Sequence, residues 1–323
     1  MIYLFYGLGS SYSLNPLAKY MIAKNFNVIE IDPISNKYSG YEVLKEIKGN
    51  DITFITSTHP LLDMRNYLRA HSINNKESYK EKYFIISSLE IIEYLKPIKN
   101  IYYPHDLNPF YADYELPWCK MFDIFMLPYK NNLYYELKAK CNDVIEIGWI
   151  KNNTLNTKAN IEYNVIYFPS FLSFSDNMNY KEIYNIISNR INNTVPIKYV
   201  NTKKNNITSA INLLKKDGFI FLDENMNIFQ LMHNCDLIIG DGDSSIIFEA
   251  ALSGVPVVSI LNGEKSDEEY LNNIPKYNWV YPLKIIDVKE FINNVKQNKI
   301  KLSKGPNILK EFNFEKAIEV IIN

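Results

Sequence analysis

Short apolar runs alternate with longer amphipathic stretches along the chain. Such runs are typical of strands buried on both faces of a parallel sheet, and the stretches between them have helical length and spacing. In the first half, this pattern predicts strands at 2–6, 27–31, 52–56, 83–87, 100–103, 122–127 and 144–147. It predicts helices between them at 14–24, 89–95 and 133–139. The alternation of strand and helix predicts a Rossmann-like α/β domain.

The same alternation continues through the second half. Predicted strands lie at 164–168, 196–200, 219–222, 237–239, 257–260 and 279–281. Predicted helices lie at 180–191, 209–216, 227–234, 267–273, 288–297 and 307–320. The Asn- and Thr-rich segment 151–160 has the composition of a linker. Because 323 residues exceed the usual size of one domain, we predict two domains, at 1–150 and 151–323.

Composition and charge exclude several classes of protein. The formal net charge is −1, so there is no global electrostatic reason to expect nucleic acid as a partner. The three cysteines, at 119, 141 and 235, have neither metal-ligand spacing nor a disulfide pattern, which favours a reducing cytoplasm. The N-terminus lacks the pattern of a signal peptide, and no apolar run has the length of a membrane span. We therefore expect a cytoplasmic protein with at most peripheral contact with the inner membrane face.

The strongest candidate for chemistry is the turn between the strand at 237–239 and the helix that follows it. Gly242 lets the backbone approach a ligand, and Asp243 can cap the helix. Ser244 and Ser245 lie in the first helical turn, where free N–H groups and the helix dipole favour an anion. Glu249 follows Ser245 by one turn on the same face. This spacing predicts a nucleotide with its phosphates at the serines and its ribose at Glu249, unless Asp243 only caps an ordinary strand-to-helix junction.

Polar residues also follow two predicted strands of the first domain. His59 follows the strand at 52–56, and His105 and Asp106 follow the strand at 100–103. Because ligands bind beyond the carboxyl ends of parallel strands, these side chains are candidates for proton transfer from a hydroxyl group. Asp106 is expected to orient an imidazole ring or to act as the base itself. In the simpler alternative, both histidines are strand-end residues that bond to the backbone.

The turn after the first predicted strand is glycine-rich. Gly7 and Gly9 lack the third glycine of the dinucleotide fingerprint, so NAD is not expected. The glycines either contribute to a ligand site or only make a tight turn.

The segment from the paired serines to Glu249, followed by Gly254-Val-Pro256 and an apolar strand, resembles the donor site of known enzymes. It is similar to non-hydrolysing UDP-N-acetylglucosamine 2-epimerases and to CDP-glycerol glycerophosphotransferases, which have the two-domain glycosyltransferase B (GT-B) architecture. The resemblance implies two Rossmann-like domains facing a cleft, with the last helix crossing back to the first domain. It implies a nucleotide-sugar site that includes Gly9, Ser10, Ser170, Gly242, Ser244, Ser245 and Glu249.

These features together predict a metal-independent glycosyltransferase. The expected donor is a nucleoside diphosphate sugar, and the expected acceptor is a hydroxyl group of a glycan or lipid-linked molecule in cell-surface glycan synthesis. No cofactor and no metal are expected, and the expected catalytic residues are His105, Asp106 and His59. The alternatives are a CDP-glycerol-type phosphoalkyl transferase, a nucleotide-sugar 2-epimerase and a non-catalytic nucleotide-binding module. The epimerase ranks lower because the first domain is poor in arginine.

Overall fold

The chain divides into two compact units. The computed structural model describes residues 1–7, 14–31, 37–57, 87–104, 107, 117–130, 135, 137–139, 143–152, 163–168, 194–196, 232, 235–241, 245–261, 279–303 and 307–323. The first unit comprises Met1–Asp106, Tyr111–Asn153 and Leu309–Asn323. The second comprises Leu107–Phe110 and Thr154–Ile308. The final 15 residues therefore belong to the first unit.

The first unit is built on a parallel sheet. Its described strands are β1 (Ile2–Tyr6), β2 (Val28–Ile31), β3 (Ile52–Thr56), β4 (Lys99–Tyr102), β5 (Ile124–Leu127) and β6 (Asp143–Glu146). These six strands pair in the order β2-β1-β3-β4-β5-β6. Described helices lie between them, namely α1 (Asn15–Ala23), α2 (Lys37–Ile47) and α3 (Ser88–Leu95). Short 3₁₀ turns lie at Pro117–Met121 and Ile150–Asn152.

The core of this unit forms because its strands are apolar on both faces. β3 is buried along its whole length, and helices supply the layers that cover the sheet. Aromatic rings fill much of the interior, and the ring centroids of Tyr102, Phe122 and Phe125 lie 5.5–5.7 Å apart. α3 begins with a capping box, in which Ser87 Oγ accepts from the Glu90 N–H and Glu90 accepts from the Ser87 N–H. The sequence thus specifies both the helix start and its buried face.

A half-buried carboxylate lies beside the start of α1. Glu30 on β2 accepts a hydrogen bond of 3.1 Å from the side-chain amide of Asn15. Burial raises the pKa of the Glu30 carboxyl, and the Asn15 amide and Lys19 offset only part of this effect. The negative charge of Glu30 is therefore disfavoured in the folded state at neutral pH.

Replacing this carboxylate by an amide is expected to stabilise the protein. At pH 7, Glu30→Gln removes the burial penalty of the charge, so its thermal unfolding midpoint should exceed that of the wild type. Below the ordinary pKa of glutamate, both chains are neutral at this position, so the difference should vanish. Calorimetric scans from pH 3 to pH 7 measure this, with Glu319→Gln on an exposed helical position as the control. A midpoint at pH 7 that is equal to or below that of the wild type would contradict the assigned burial penalty.

The C-terminal helix, Phe314–Ile322, packs on the first unit. Asn313 caps it by accepting from the Lys316 N–H, and its buried residues are Ala317, Ile318 and Ile321. Glu315 accepts hydrogen bonds from Lys24, the residue just after α1, and from Tyr20 of α1, and these bonds lower the pKa of its carboxyl. The last helix is thus a structural part of the first unit.

The second unit is built on another parallel sheet. Its described strands are β7 (Tyr163–Phe168), β8 (Thr194–Pro196), β9 (Cys235–Asp241), β10 (Val257–Leu261) and β11 (Val280–Lys284). These five strands pair in the order β11-β10-β9-β7-β8. The described helices of this unit are α4 (Ser245–Leu252) and α5 (Ile285–Lys296). The two parallel sheets with intervening helices confirm the predicted pair of Rossmann-like domains.

Two sequence predictions differ from the structure. The helix predicted at 307–320 begins only at Phe314, because Trp149 bridges to Glu311 and the Asn313 N–H bonds to the Ile147 carbonyl. Helix α2 was not predicted. The predicted strand at 219–222 and the predicted helices at 180–191, 209–216 and 267–273 lie outside the described residues, and so do residues 83–86 of the strand predicted at 83–87. The last residue of that prediction, Ser87, caps α3 instead.

Candidate functional site

The strand order of the second sheet creates a switch point between β7 and β9. The chain passes from β7 to β8 on one side and then returns to place β9 on the other side. In open parallel sheets, such a point opens a crevice beyond the carboxyl ends of the two strands. Phe168, the last residue of β7, lies in register with Gly240 near the end of β9. The carboxyl ends of these two strands therefore lie side by side.

Gly240 allows helix α4 to pack closely against β9. A Cβ atom at this position would lie 3.1 Å from Cγ1 of Ile247 and 3.5 Å from the carbonyl oxygen of Phe168. The first of these distances is tighter than ordinary van der Waals contact. The glycine thus lets the helix pack close to the switch point.

Helix α4 is almost entirely apolar and is buried on all sides. The side chains of 246–252 are all buried, and Glu249 is only 2% exposed. A carboxylate at this depth is costly unless it is paired or hydrogen-bonded. Glu249 does interact within the protein, and its backbone carbonyl accepts from the Ser253 hydroxyl at 2.8 Å. The sequence pattern predicted its helical position, but not this degree of burial.

The other residues predicted for the donor site follow β7 or lie at the start of α4. Ser245 is the first residue of α4, which follows β9 after three intervening residues. Ser170, Gly242 and Ser244 lie outside the described residues, and so does the side chain of Ser245. The sheet therefore brings together the strand ends that precede these residues, and their roles stay predictions.

The first sheet has its own switch point, between β1 and β3. The Ser57 N–H bonds to the Tyr6 carbonyl at 3.3 Å, which joins the ends of these two strands. β4 lies beside β3 and is parallel to it, so the segments after β1, β3 and β4 all start from the carboxyl ends of neighbouring strands. Gly9 and Ser10 follow β1, His59 follows β3, and His105 and Asp106 follow β4. These five residues lie outside the described residues, and their roles also stay predictions.

Tyr103 is a residue of interest that the sequence pattern did not single out. It directly follows β4 and is completely buried. Its hydroxyl donates to the Gly148 carbonyl at 3.2 Å and accepts from the Ile150 N–H at 2.9 Å. The signal available in the sequence was a tyrosine, an amphipathic residue, immediately before Pro104-His105-Asp106.

The described residues also bear on metal binding, thiol chemistry and membrane insertion. Among them, no group of three or more His, Cys, Asp or Glu side chains is arranged to hold a metal ion. Burial and the nearby Asp236 raise the pKa of the Cys235 thiol to about 12, so this residue is a poor nucleophile. Within the described part of the chain, no helix combines the length and the apolar character needed to cross a membrane.

Comparison of sequences identifies one family. The model of the family described as "Protein of unknown function (DUF354)" matches residues 146–321, which is more than half of the chain. No curated protein matches the sequence.

Comparison of structures identifies the fold. A putative UDP-N-acetylglucosamine 2-epimerase from Listeria monocytogenes is 12% identical with a TM-score of 0.51, over 99% of this chain and 95% of that one. The spinosyn rhamnosyltransferase SpnG, complexed with thymidine diphosphate, is 11% identical with a TM-score of 0.47, over 92% and 91%. The wall teichoic acid polymerase TagF is 13% identical with a TM-score of 0.47, over 92% and 81%. The first of these likenesses confirms the predicted GT-B architecture, and at these identities it shows the fold alone.

Proposed function

The chain belongs to the DUF354 family of proteins of unknown function, and we propose that it is a GT-B glycosyltransferase that uses a nucleoside diphosphate sugar. In this proposal, it transfers the sugar to a hydroxyl group of a glycan or lipid-linked acceptor, without a required metal. The fold and the chemistry of the turn between β9 and α4, in the second unit, support this function.

The observation that carries the proposal is the geometry of the switch point at β7 and β9. Two parallel strands end side by side there, and a glycine on β9 lets helix α4 pack against the strand. The helix that follows presents its N-terminus toward the end of the sheet where ligands bind in this class of fold. Such a turn suits a diphosphate, whose negative charge increases as the sugar leaves.

Glu249 has the second role in this proposal. Its carboxylate accepts hydrogen bonds from the ribose hydroxyls once its interaction within the protein is exchanged for one with the nucleotide. A single acid in a helix that is otherwise apolar over 246–252 supports a recognition role, because burial of a carboxylate costs stability. In this proposal, His105 and Asp106 act as the acceptor base, and His59 is a further candidate.

A panel of ligands tests this proposal. Calorimetry with UDP, GDP, CDP and dTDP should find one nucleoside diphosphate that binds, and the corresponding nucleotide sugars should then be screened for turnover. Sugar transfer to an acceptor, with release of the nucleoside diphosphate, is the expected result. Release of a nucleoside monophosphate would indicate phosphoalkyl transfer instead, and conversion of the sugar without an acceptor would indicate an epimerase. Nucleotide binding without any turnover would indicate a binding module, and absence of binding would refute the proposal.

A further inference from the structure

We propose that Tyr103 is a positioning residue, which fixes the point where the His105-Asp106 segment leaves the first sheet. This inference rests on the proposed function, in which His105 and Asp106 accept the proton of the acceptor. It assigns a role to the buried hydroxyl group of Tyr103, which makes two hydrogen bonds. Tyr103 lies two residues before His105, the candidate base. Four independent contacts of Tyr103 support it.

The first two contacts are made by the hydroxyl group. It donates to the Gly148 carbonyl and accepts from the Ile150 N–H, at 3.2 Å and 2.9 Å. Both partners belong to the segment that follows β6, where the chain is about to leave the first unit. Tyr103 therefore links the end of β4 to this exit segment through two buried hydrogen bonds, which are made only if the ring has one position.

The exit segment is itself held in place. The Trp149 N–H bonds to the Lys310 carbonyl at 3.0 Å, and the Asn152 side-chain amide bonds to the Leu309 carbonyl at 2.7 Å. Its partners are thus in the segment by which the chain returns to the first unit. The segment that leaves the first unit and the segment that returns to it are therefore hydrogen-bonded to each other. The Tyr103 hydroxyl thus bonds to one of two joined segments and not to an isolated loop.

The other two contacts are made by the ring. Its centroid lies 5.8 Å from the Trp149 ring in a stacked arrangement with an interplanar angle of 30°. It lies 5.8 Å from the Phe312 ring in an edge-on arrangement at 85°. These contacts do not need the hydroxyl group, so replacing tyrosine with phenylalanine removes the hydrogen bonds and preserves the packing.

The backbone carries this restraint toward His105. The Tyr103 N–H bonds to the Thr56 carbonyl at 2.9 Å, which fixes it to the end of β3. Only Pro104, which is buried, separates it from His105. Proline fixes its own φ angle and confines the preceding residue to extended conformations. The course of the chain up to Pro104, the residue before His105, is therefore set by Tyr103.

Histidine resonances in solution test the inference without an assay of activity. The protein contains four histidines, which can be labelled at Cε1 and assigned by single substitutions. In Tyr103→Phe, we expect the His105 resonance to shift, its pKa to change, and the other three to stay as in the wild type. Tyr94→Phe is the matched control, because this half-buried ring also keeps its contacts, including Lys48 Nζ at 3.9 Å from its centroid. An unchanged His105, or equal changes at all four histidines, would overturn the proposal.

Kinetics provide the second readout. Misplacing a catalytic group by about 1 Å lowers rates by roughly 100-fold, so we expect Tyr103→Phe to lower kcat by about 10- to 100-fold. The KM of the donor and the calorimetric affinity for the nucleotide should not change, because the donor turn is in the second unit. A fall in donor affinity equal to the fall in kcat would contradict a positioning role. Failure of the wild type to bind any nucleotide would instead refute the proposed function, and the histidine titration would still decide the role of Tyr103.

Discussion

Gly148→Ala is expected to destabilise the first unit by about 3 kcal/mol or more, as the sum of backbone strain and overlap. Gly148 has a φ of +87°, which is in the left-handed region that residues with a Cβ rarely adopt. A Cβ atom would also overlap the Glu311 carbonyl oxygen and would lie 2.7 Å from its carbon. Since the obstacle is backbone, no side-chain rotation relieves it.

Gly49→Ala provides the matched control for this prediction. Gly49 has a similar φ of +90°, but a Cβ atom there would meet nothing within 4 Å. Its cost should be the strain alone, about 1 kcal/mol. Urea unfolding followed by tryptophan fluorescence measures both variants. Equal losses of stability in the two variants would show that the chain does not pack against Gly148 as described.

Glu249→Gln is expected to lower the affinity for a nucleoside diphosphate by about 10- to 100-fold. Hydrogen bonds to charged groups contribute about 1.5–3 kcal/mol, and each 1.4 kcal/mol corresponds to a factor of ten. Glutamine preserves the size of the side chain but not its charge. A purely structural Glu249 would give the opposite pattern, with a lower unfolding midpoint and an unchanged affinity.

Ligands without ribose hydroxyls make this test specific. The wild type should bind the 2′,3′-dideoxy nucleotide about 10- to 100-fold more weakly than the ordinary one. Glu249→Gln should show a smaller preference for the ordinary nucleotide, because an amide has one neutral acceptor oxygen in place of the two oxygens of the carboxylate. Glu290→Gln, at an exposed position of α5, should behave as the wild type. If the preference for the ordinary nucleotide is as large in Glu249→Gln as in the wild type, the ribose contact is refuted.

Most of the described sheet strands could be predicted because parallel strands are apolar along their whole length. β3 was predicted with its observed bounds, and β9 was predicted from its apolar run. The end of α4 was also predictable, because a glycine is common just after a helix. In the structure, Gly254 has the positive φ, +79°, that favours glycine there. Local sequence was sufficient in these cases because local preference and tertiary packing agree.

The errors arise where tertiary contacts override local preference. The segment 307–313 reads as the start of a helix, but its backbone bonds to residues 147–149, which are distant in the sequence. Helix α2 was missed because Gly40 in its interior lowers helix propensity. The contacts of 307–313 are not visible in a local window, and in α2 a local signal was outweighed by the rest of the fold.

The candidate site was predictable in its spacing but not in its surroundings. The four-residue interval from Ser245 to Glu249 follows from helix geometry, so their shared helix could be predicted. The burial of Glu249 depends on what covers the helix, and the two bonds of the Tyr103 hydroxyl come from residues more than 40 positions away. Such contacts depend on how distant segments come together in the fold, which a local stretch of sequence does not specify.

Hydrogen–deuterium exchange with and without the nucleotide tests the central claim most directly. The claim is that a nucleoside diphosphate is bound where β9 leads into α4. Peptides that cover 237–252 should therefore exchange more slowly when the best-binding nucleoside diphosphate is present at saturation, and Glu249→Gln should need a higher concentration for the same protection. Nucleotide-dependent protection that is confined to other parts of the chain, with 237–252 unchanged, would contradict the account.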